Sequence, residues 1–166
     1  MVRFWKPEGP YASFSNYFVR PVVVGGLEWK SSEAAYQAQK FMSNYPGYAY
    51  TIFCARTPHM AKYLATMRME ERYAWQENLN TEIHMAQSIG VTKRPDWDTV
   101  KDQVMYEIVL AKFQQHDDLR ATLLATGDEI IAETSPYDNY WGLGSDGTGQ
   151  NKLGRILMQV RSLLKK

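Results

Sequence analysis

Apolar and polar positions alternate at the start of the chain and then give way to helical spacing. Residues 2–5 (Val-Arg-Phe-Trp) predict a short strand, which Pro7, Gly9 and Pro10 interrupt. Residues 20–24 and 27–30 predict two further strands, joined by a tight hairpin at Gly25-Gly26. From Ser32 the alternation stops, and the helix formers of residues 32–41 predict a helix. Thr57-Pro58 combines a capping hydroxyl with proline at the first helical position, so another helix should begin there. The polar and aromatic stretch over residues 70–89 also reads as helical, on a weaker pattern.

In the second half Asp96 is the expected N-cap of a helix. Its apolar row is Val100, Val104, Ile108 and Ala111, flanked by Met105, Val109 and Phe113. Asp117 or Asp118 should cap the next helix, which runs through Leu119, Leu123 and Leu124 to a stop at Gly127. Residues 130–132 predict a short strand and residues 134–151 a glycine-rich loop. Leu153, Ile156, Leu157, Val160, Leu163 and Leu164 hold helical spacing to the end. The fold expected is mainly α: a single-domain helical fold over residues 1–166 with a small N-terminal β element.

Composition narrows the class. A chain of 166 residues can bury roughly two-thirds of its unfolded surface, so it should fold without disulfides or a structural metal. The lone Cys54 suits a reducing cytoplasm. His59, His84 and His116 are too scattered to suggest a metal site, and no cofactor motif is present. The start has no signal-peptide pattern, no apolar run is long enough to span a bilayer, and no obligate protein partner is indicated. A net charge of +1 argues against tight salt-driven binding to long nucleic acid, but not against one modified base or a free nucleotide. Five Trp and eleven Tyr offer many planar surfaces on which a base could stack.

Four stretches carry polar and aromatic residues that core packing does not require. Residues 9–18 place Ser15 and Asn16 where they could hold a turn or bond a ligand. On the helix of residues 32–41, Glu33, Gln37 and Lys40 share one side, as an ion-paired surface or as part of a pocket. Glu33 falls in the first turn, where the helix dipole favours the ionised carboxylate. Trp97, after Arg94-Pro95-Asp96, is a base platform or a core indole, and Lys101 one turn later could meet phosphate. Residues 135–154 set Asp138 and Trp141 among glycines including Gly142, ending at Asn151, where a helix N-terminus could bind an anion.

In this order FSNYF, SSEAAYQAQKF, RPDW, AKF, TGD, YWG and NKLGRILMQVR resemble the NADAR family, also called YbiA-like proteins, over nearly the whole chain. The resemblance implies a mainly α fold and N-glycosidase activity. The substrates it implies are ribosylamino-pyrimidine phosphates of riboflavin synthesis or ADP-ribose attached to guanine. It also implies functional roles for Glu33, Trp97, Asp138 and Trp141, with Lys40 a further candidate. The chain departs from the family pattern in a longer stretch between Pro58 and Arg94. It also lacks a Gly-Arg pair, for which Arg68 or Arg72 could substitute.

Both substrate classes join ribose to an exocyclic amine. Such a glycosylamine can open to an imine, which a neutral Lys40 could attack while Glu33 or Asp138 moves protons. In that reading Trp97 and Trp141 sandwich the base, while Lys101 and amides of the glycine-rich loop hold phosphate. A carboxylate pair without a lysine adduct is the competing mechanism. A non-catalytic module that binds ADP-ribose or NAD is the competing function.

Overall fold

The computed structural model describes residues 1–69 and 77–166. Strand β1 (Val2–Phe4) does not pair with its neighbours in sequence. It runs parallel to β4 (Ile131–Glu133), from Val2 opposite Ile131 to Phe4 opposite Glu133. The β structure is therefore not wholly N-terminal, because the first strand is completed by a segment far along the chain. Strands β2 (Val19–Val24) and β3 (Leu27–Ser31) form the expected antiparallel hairpin. Gly25 and Gly26 take φ of 62° and 77°, the positive values that a two-residue hairpin turn demands of both positions.

Helix α1 (Ser32–Gln39) follows β3 with no intervening loop. Ser31 ends the strand and caps the helix: its Oγ accepts the Ala34 amide at 3.1 Å. Small side chains at Ala34, Ala35 and Ala38 let other elements close around the helix, and every residue from Ser32 to Ala38 is buried. α1 packs against α2 (Pro46–Cys54), α3 (Pro58–Thr66), α5 (Trp97–Gln115) and both strands of the hairpin. α2 has no counterpart in the sequence expectation. Pro46 stands at its first position, but its N-cap, Tyr45, makes no side-chain cap, so only half of the usual start signal is present. α3 begins as expected, with Thr57 Oγ1 accepting the Met60 amide at 3.1 Å.

α4 (Glu77–Ser88) falls within the stretch expected to be helical; residues 70–76 of that stretch, with Arg72, lie outside the described residues. Two expected caps are not made. Asp96 stands at the N-cap of α5, but Arg94 engages both its carboxylate oxygens, at 2.6 and 2.7 Å. His116 is the N-cap of α6 (Asp117–Ala125), which leaves Asp117 and Asp118 in its first turn. Asp118 instead accepts Arg20 at 2.8 Å, tying α6 to the hairpin. Gly127 follows the end of α6 with φ of 58°, the conformation expected of a helix stop.

The last helix, α7 (Lys152–Leu164), buries the predicted apolar stripe against α5, α6 and β4 except at Leu163, which is exposed on the outer side of its final turn. Its buried Arg161 donates to Thr126 Oγ1 at 2.7 Å and to the Glu129 carbonyl at 2.8 Å, fixing the turn that leads into β4. Lys112 of α5 is 1% exposed and donates to the Ser15 carbonyl at 3.1 Å. Among the described residues, no helix is long and apolar enough to cross a membrane.

Gly154 is where α7 touches β4. A Cβ there would stand 2.3 Å from the Ile131 carbonyl oxygen and 2.4 Å from Asn151 Oδ1. Gly154→Ala should therefore lower stability by about 1–3 kcal/mol or more, the usual range for overpacking. Urea unfolding checks this, and an unchanged midpoint would mean that α7 can move away from β4.

Candidate active site

Glu33 lies at the centre. The start of α1 holds it: its amide donates to the Asn16 carbonyl at 3.1 Å, which joins the Ser15–Asn16 turn to the helix. Gln37, one turn on, donates Nε2 to Glu33 Oε1 at 2.7 Å. The first-turn position suggests a stabilised anion, yet burial dominates and pushes the carboxyl above the usual range. The Gln37 hydrogen bond and the charges of Lys62 and Lys40 offset this in part, while Asp138 adds to it.

Lys40 closes α1 as its C-cap residue. Its Nζ lies 5.9 Å from the Tyr36 ring centre and 5.8 Å from that of Trp97. Burial brings the ammonium down to about 8; Glu33 works against this, while Lys62 and Lys93 reinforce it. Roughly a tenth of the amine is therefore neutral at pH 7, far more than an exposed lysine offers.

Asp138 comes from the loop between β4 and α7. Its Oδ1 accepts the amides of Tyr140 at 2.9 Å and Trp141 at 2.7 Å, so the carboxylate and the indole are placed by one turn. Trp141 meets Tyr36 edge-on, with ring centres 5.6 Å apart. Trp97 packs on the same tyrosine at 5.1 Å and is only 4% exposed. The expected sandwich of two indoles is thus not the arrangement seen: Trp97 is a buried wall behind Tyr36, and the half-buried Trp141 is left as the stacking surface.

The glycine-rich loop also differs from expectation. The amides of Leu143, Gly149, Asn151, Lys152 and Leu153 donate to carbonyls within the loop or of β4, so they are not free to receive phosphate. Gly142 is needed for packing, since a Cβ there would lie 3.0 Å from the Glu133 carbonyl oxygen and 3.1 Å from that of Asp138. Asn151 spans the same junction: Oδ1 accepts the Glu133 amide at 3.0 Å and Nδ2 donates to the Ile131 carbonyl at 2.9 Å. Lys101 donates to Asp98 at 3.1 Å and lies 4.3 Å from the Tyr140 ring centre, beside Trp141. Arg68 is exposed just beyond the end of α3.

Sequence reasoning overlooked Glu133, Lys62 and Tyr36. Glu133 ends β4, and burial raises its carboxyl to about 7. Asp138 and Glu33 add to the rise, and Lys62 opposes it. Lys62, on α3, is exposed, and its charge bears on Glu33, Lys40 and Glu133 alike. The available signal was an acid five residues before Asp138, at the entrance to the glycine-rich loop.

Among the described residues, the buried side-chain polar atoms with no protein partner are Asn16 Oδ1, Ser32 Oγ, Gln37 Oε1 and Glu133 Oε2. Each belongs to a residue tied to Glu33. Ser32 precedes it, Asn16 accepts its amide, Gln37 bonds its carboxyl, and the charge of Glu33 helps to raise the Glu133 carboxyl. Unpaired buried groups are scarce in folded proteins, so four of them on residues tied to Glu33 single out this part of the molecule as the candidate site. No three His, Cys, Asp or Glu side chains among the described residues are grouped closely enough to hold a metal ion. A separate cleft of about 320 Å³ between α5 and α7 is lined by Asp102, Tyr106, Lys152 and Arg155, among others, and by none of the groups above.

Residues 3–165 match the NADAR domain. An N-glycosidase of Nostoc punctiforme is 37% identical over 161 residues, covering 96% of this chain and 90% of that protein. A riboflavin biosynthesis protein of Vibrio vulnificus is 33% identical over 98% of this chain and 38% of its own length. The NMR structure of the E. coli protein YbiA superposes with a TM-score of 0.77 at 33% identity, over 99% of this chain and 84% of that one. The mainly α architecture is shared with it. On the span of the match and the likeness of sequence and fold, this chain belongs to the NADAR domain family.

Proposed function

We propose that this protein is an N-glycosidase that hydrolyses the bond between a phosphorylated ribose and an exocyclic amine of a base. The observation that carries the reading is the meeting of Glu33, Lys40 and Asp138, from the two ends of α1 and a distant loop, in one partly buried site. The names of relatives support the reaction class. One of them is an N-glycosidase, and the riboflavin biosynthesis protein favours a ribosylamino-pyrimidine phosphate as substrate. ADP-ribosylated guanine is the second substrate of the same chemistry, with the ribose again on an exocyclic nitrogen. A module that only binds ADP-ribose or NAD would have no need of a lysine driven toward neutrality beside carboxyl groups. The exposed Cys54 fits a reducing compartment, and we place the activity in the cytoplasm.

The chemistry follows from the groups present. The ribosylamine opens to an imine, the ring oxygen taking a proton. The Lys40 amine adds to the anomeric carbon, a proton passes to the departing nitrogen, and the free amine leaves a lysine imine behind. Water then adds to that imine, releasing Lys40 and the ribose aldehyde, which closes again. One water is consumed. Trp141 stacks on the base, with Tyr36 and Trp97 as its wall; Ser15 and Asn16 shape the sugar side. Gly142 and Asn151 act through the loop they hold in place. Lys101 and Lys62 are the cations for phosphate, since the amides of Leu143, Gly149, Asn151, Lys152 and Leu153 are already engaged.

Borohydride added during turnover should trap a ribosyl adduct on Lys40, and Lys40→Arg should remove both adduct and turnover, because a guanidinium stays protonated. An arginine variant with near-normal turnover and no trappable adduct would leave the carboxyl groups to act without lysine. Removing the phosphate from the substrate should lower kcat/KM roughly 10- to 100-fold, the worth of one hydrogen bond to a charged group. Equal kcat/KM for the dephosphorylated nucleoside would take phosphate out of the reading.

A further inference from the structure

Glu133 is placed with as much care as any residue of the site. Its amide is fixed by Asn151 Oδ1 at 3.0 Å and its carbonyl by the Leu143 amide at 2.8 Å. Gly142 turns its bare Cα toward it, and a Cβ there would come within 3.5 Å of Glu133 Cγ. The loop that fixes Glu133 also carries Asp138 and Trp141, so one stretch of chain positions the two acids and the indole. Yet the carboxyl itself is left unserved: Oε2 is sealed from solvent and has no hydrogen-bond partner. No salt bridge among the described residues reaches it either.

An ionised carboxylate is poorly suited to such a place, because a buried anion with an unpaired oxygen keeps its full desolvation cost. A neutral carboxylic acid is not. Three charged groups face it: Asp138 from its own loop, Glu33 from α1 and Lys62 from α3. The two acids make ionisation harder, and Lys62 eases it. The reaction proposed above needs a proton on the departing nitrogen, because an amine cannot leave as an anion.

We infer that Glu133 is the general acid of this site, donating its proton to the leaving amine and recovering it from the attacking water. The inference rests on the N-glycosidase reading. In balance, the Glu133 carboxyl gives up a proton as the bond from nitrogen to the anomeric carbon breaks. Its carboxylate then takes a proton from water as the new carbon–oxygen bond forms, so the acid returns unchanged after each cycle.

The pH profile separates this role from a structural one. Turnover needs a neutral Lys40, whose fraction grows with pH through about 8. It also needs a protonated Glu133, whose fraction shrinks with pH through about 7. Both conditions together give a bell with its top between those values. Glu133→Gln keeps the shape and removes the proton. It should leave only the rising limb and lower kcat by about 10²- to 10⁴-fold on a basic leaving amine. The deficit should shrink for an electron-poor amine, which needs less protonation, while KM changes little.

Wild-type protein inactive on every ribosylamine phosphate tried would overturn the N-glycosidase reading itself. Active wild-type protein with a Glu133→Gln variant that keeps the bell, or that loses activity equally on all leaving amines, would overturn the role of Glu133 alone. Should the variant not fold, the wild-type profile still decides. A rate that climbs to a plateau with no fall on the alkaline side has no protonated acid in it.

Discussion

The fold depends on burying α1. This helix carries Glu33 and Gln37 as well as its alanines, and every residue from Ser32 to Ala38 is buried. Burying a carboxyl group costs several kcal/mol unless it is paired or neutral, so the helices around α1 have to accommodate it and not merely cover it. Gln37 gives it one hydrogen bond and the charges of Lys40 and Lys62 favour it at longer range, while Asp138 makes its ionisation harder. The rest of the arrangement follows. β3 runs straight into the helix through the Ser31 cap, the Asn16 carbonyl receives the first-turn amide, and α2, α3 and α5 close on the alanine faces.

The same constraint explains which parts could be read from the sequence. The hairpin at Gly25-Gly26, the start of α3 at Thr57-Pro58 and the apolar stripe of α7 are written locally, in turn chemistry, capping and periodicity. α2 has Pro46 at its start but Tyr45 where a capping side chain would stand, so its N-terminus carries half the usual signal. The pairing of β1 with β4 joins residues more than a hundred positions apart, and no local pattern records that. Asp96 and Asp118 are capping residue types that found stronger partners, Asp96 in Arg94 two positions before it and Asp118 in Arg20 on the distant hairpin.

The site was legible in its residue types and not in its electrostatics. Glu33, Lys40, Asp138 and Trp141 stood out because aromatic and polar groups clustered where packing did not need them. Glu133 did not stand out, since an acid after Ile131 and Ala132 reads as the exposed end of a strand. Only the fold shows that the next loop turns back over it. Phosphate binding by the glycine-rich loop was the natural reading of its composition. The structure gives several of those amides, from Leu143 and from residues 149–153, to carbonyls of the loop or of β4, and Gly142 and Gly149 serve close backbone packing.

These facts bear on how a lysine and several carboxyl groups can share a small site without cancelling one another. In water such groups would ionise fully, and a Lys40–Glu33 ion pair would leave neither a nucleophile nor an acid. Burial works against charge on both signs, lowering the lysine to about 8 and raising Glu133 to about 7. The two values approach each other from opposite sides, so a neutral amine and a neutral acid can exist together at one pH. Direct pairing is held off by geometry: the hydrogen bond to Glu33 comes from Gln37, while Lys40 lies over the rings of Tyr36 and Trp97. Those aromatic rings, which from the sequence looked like a grip for the base, therefore also keep the amine out of an ion pair. Trp97, almost wholly buried, serves the lysine more directly than it could serve a ligand.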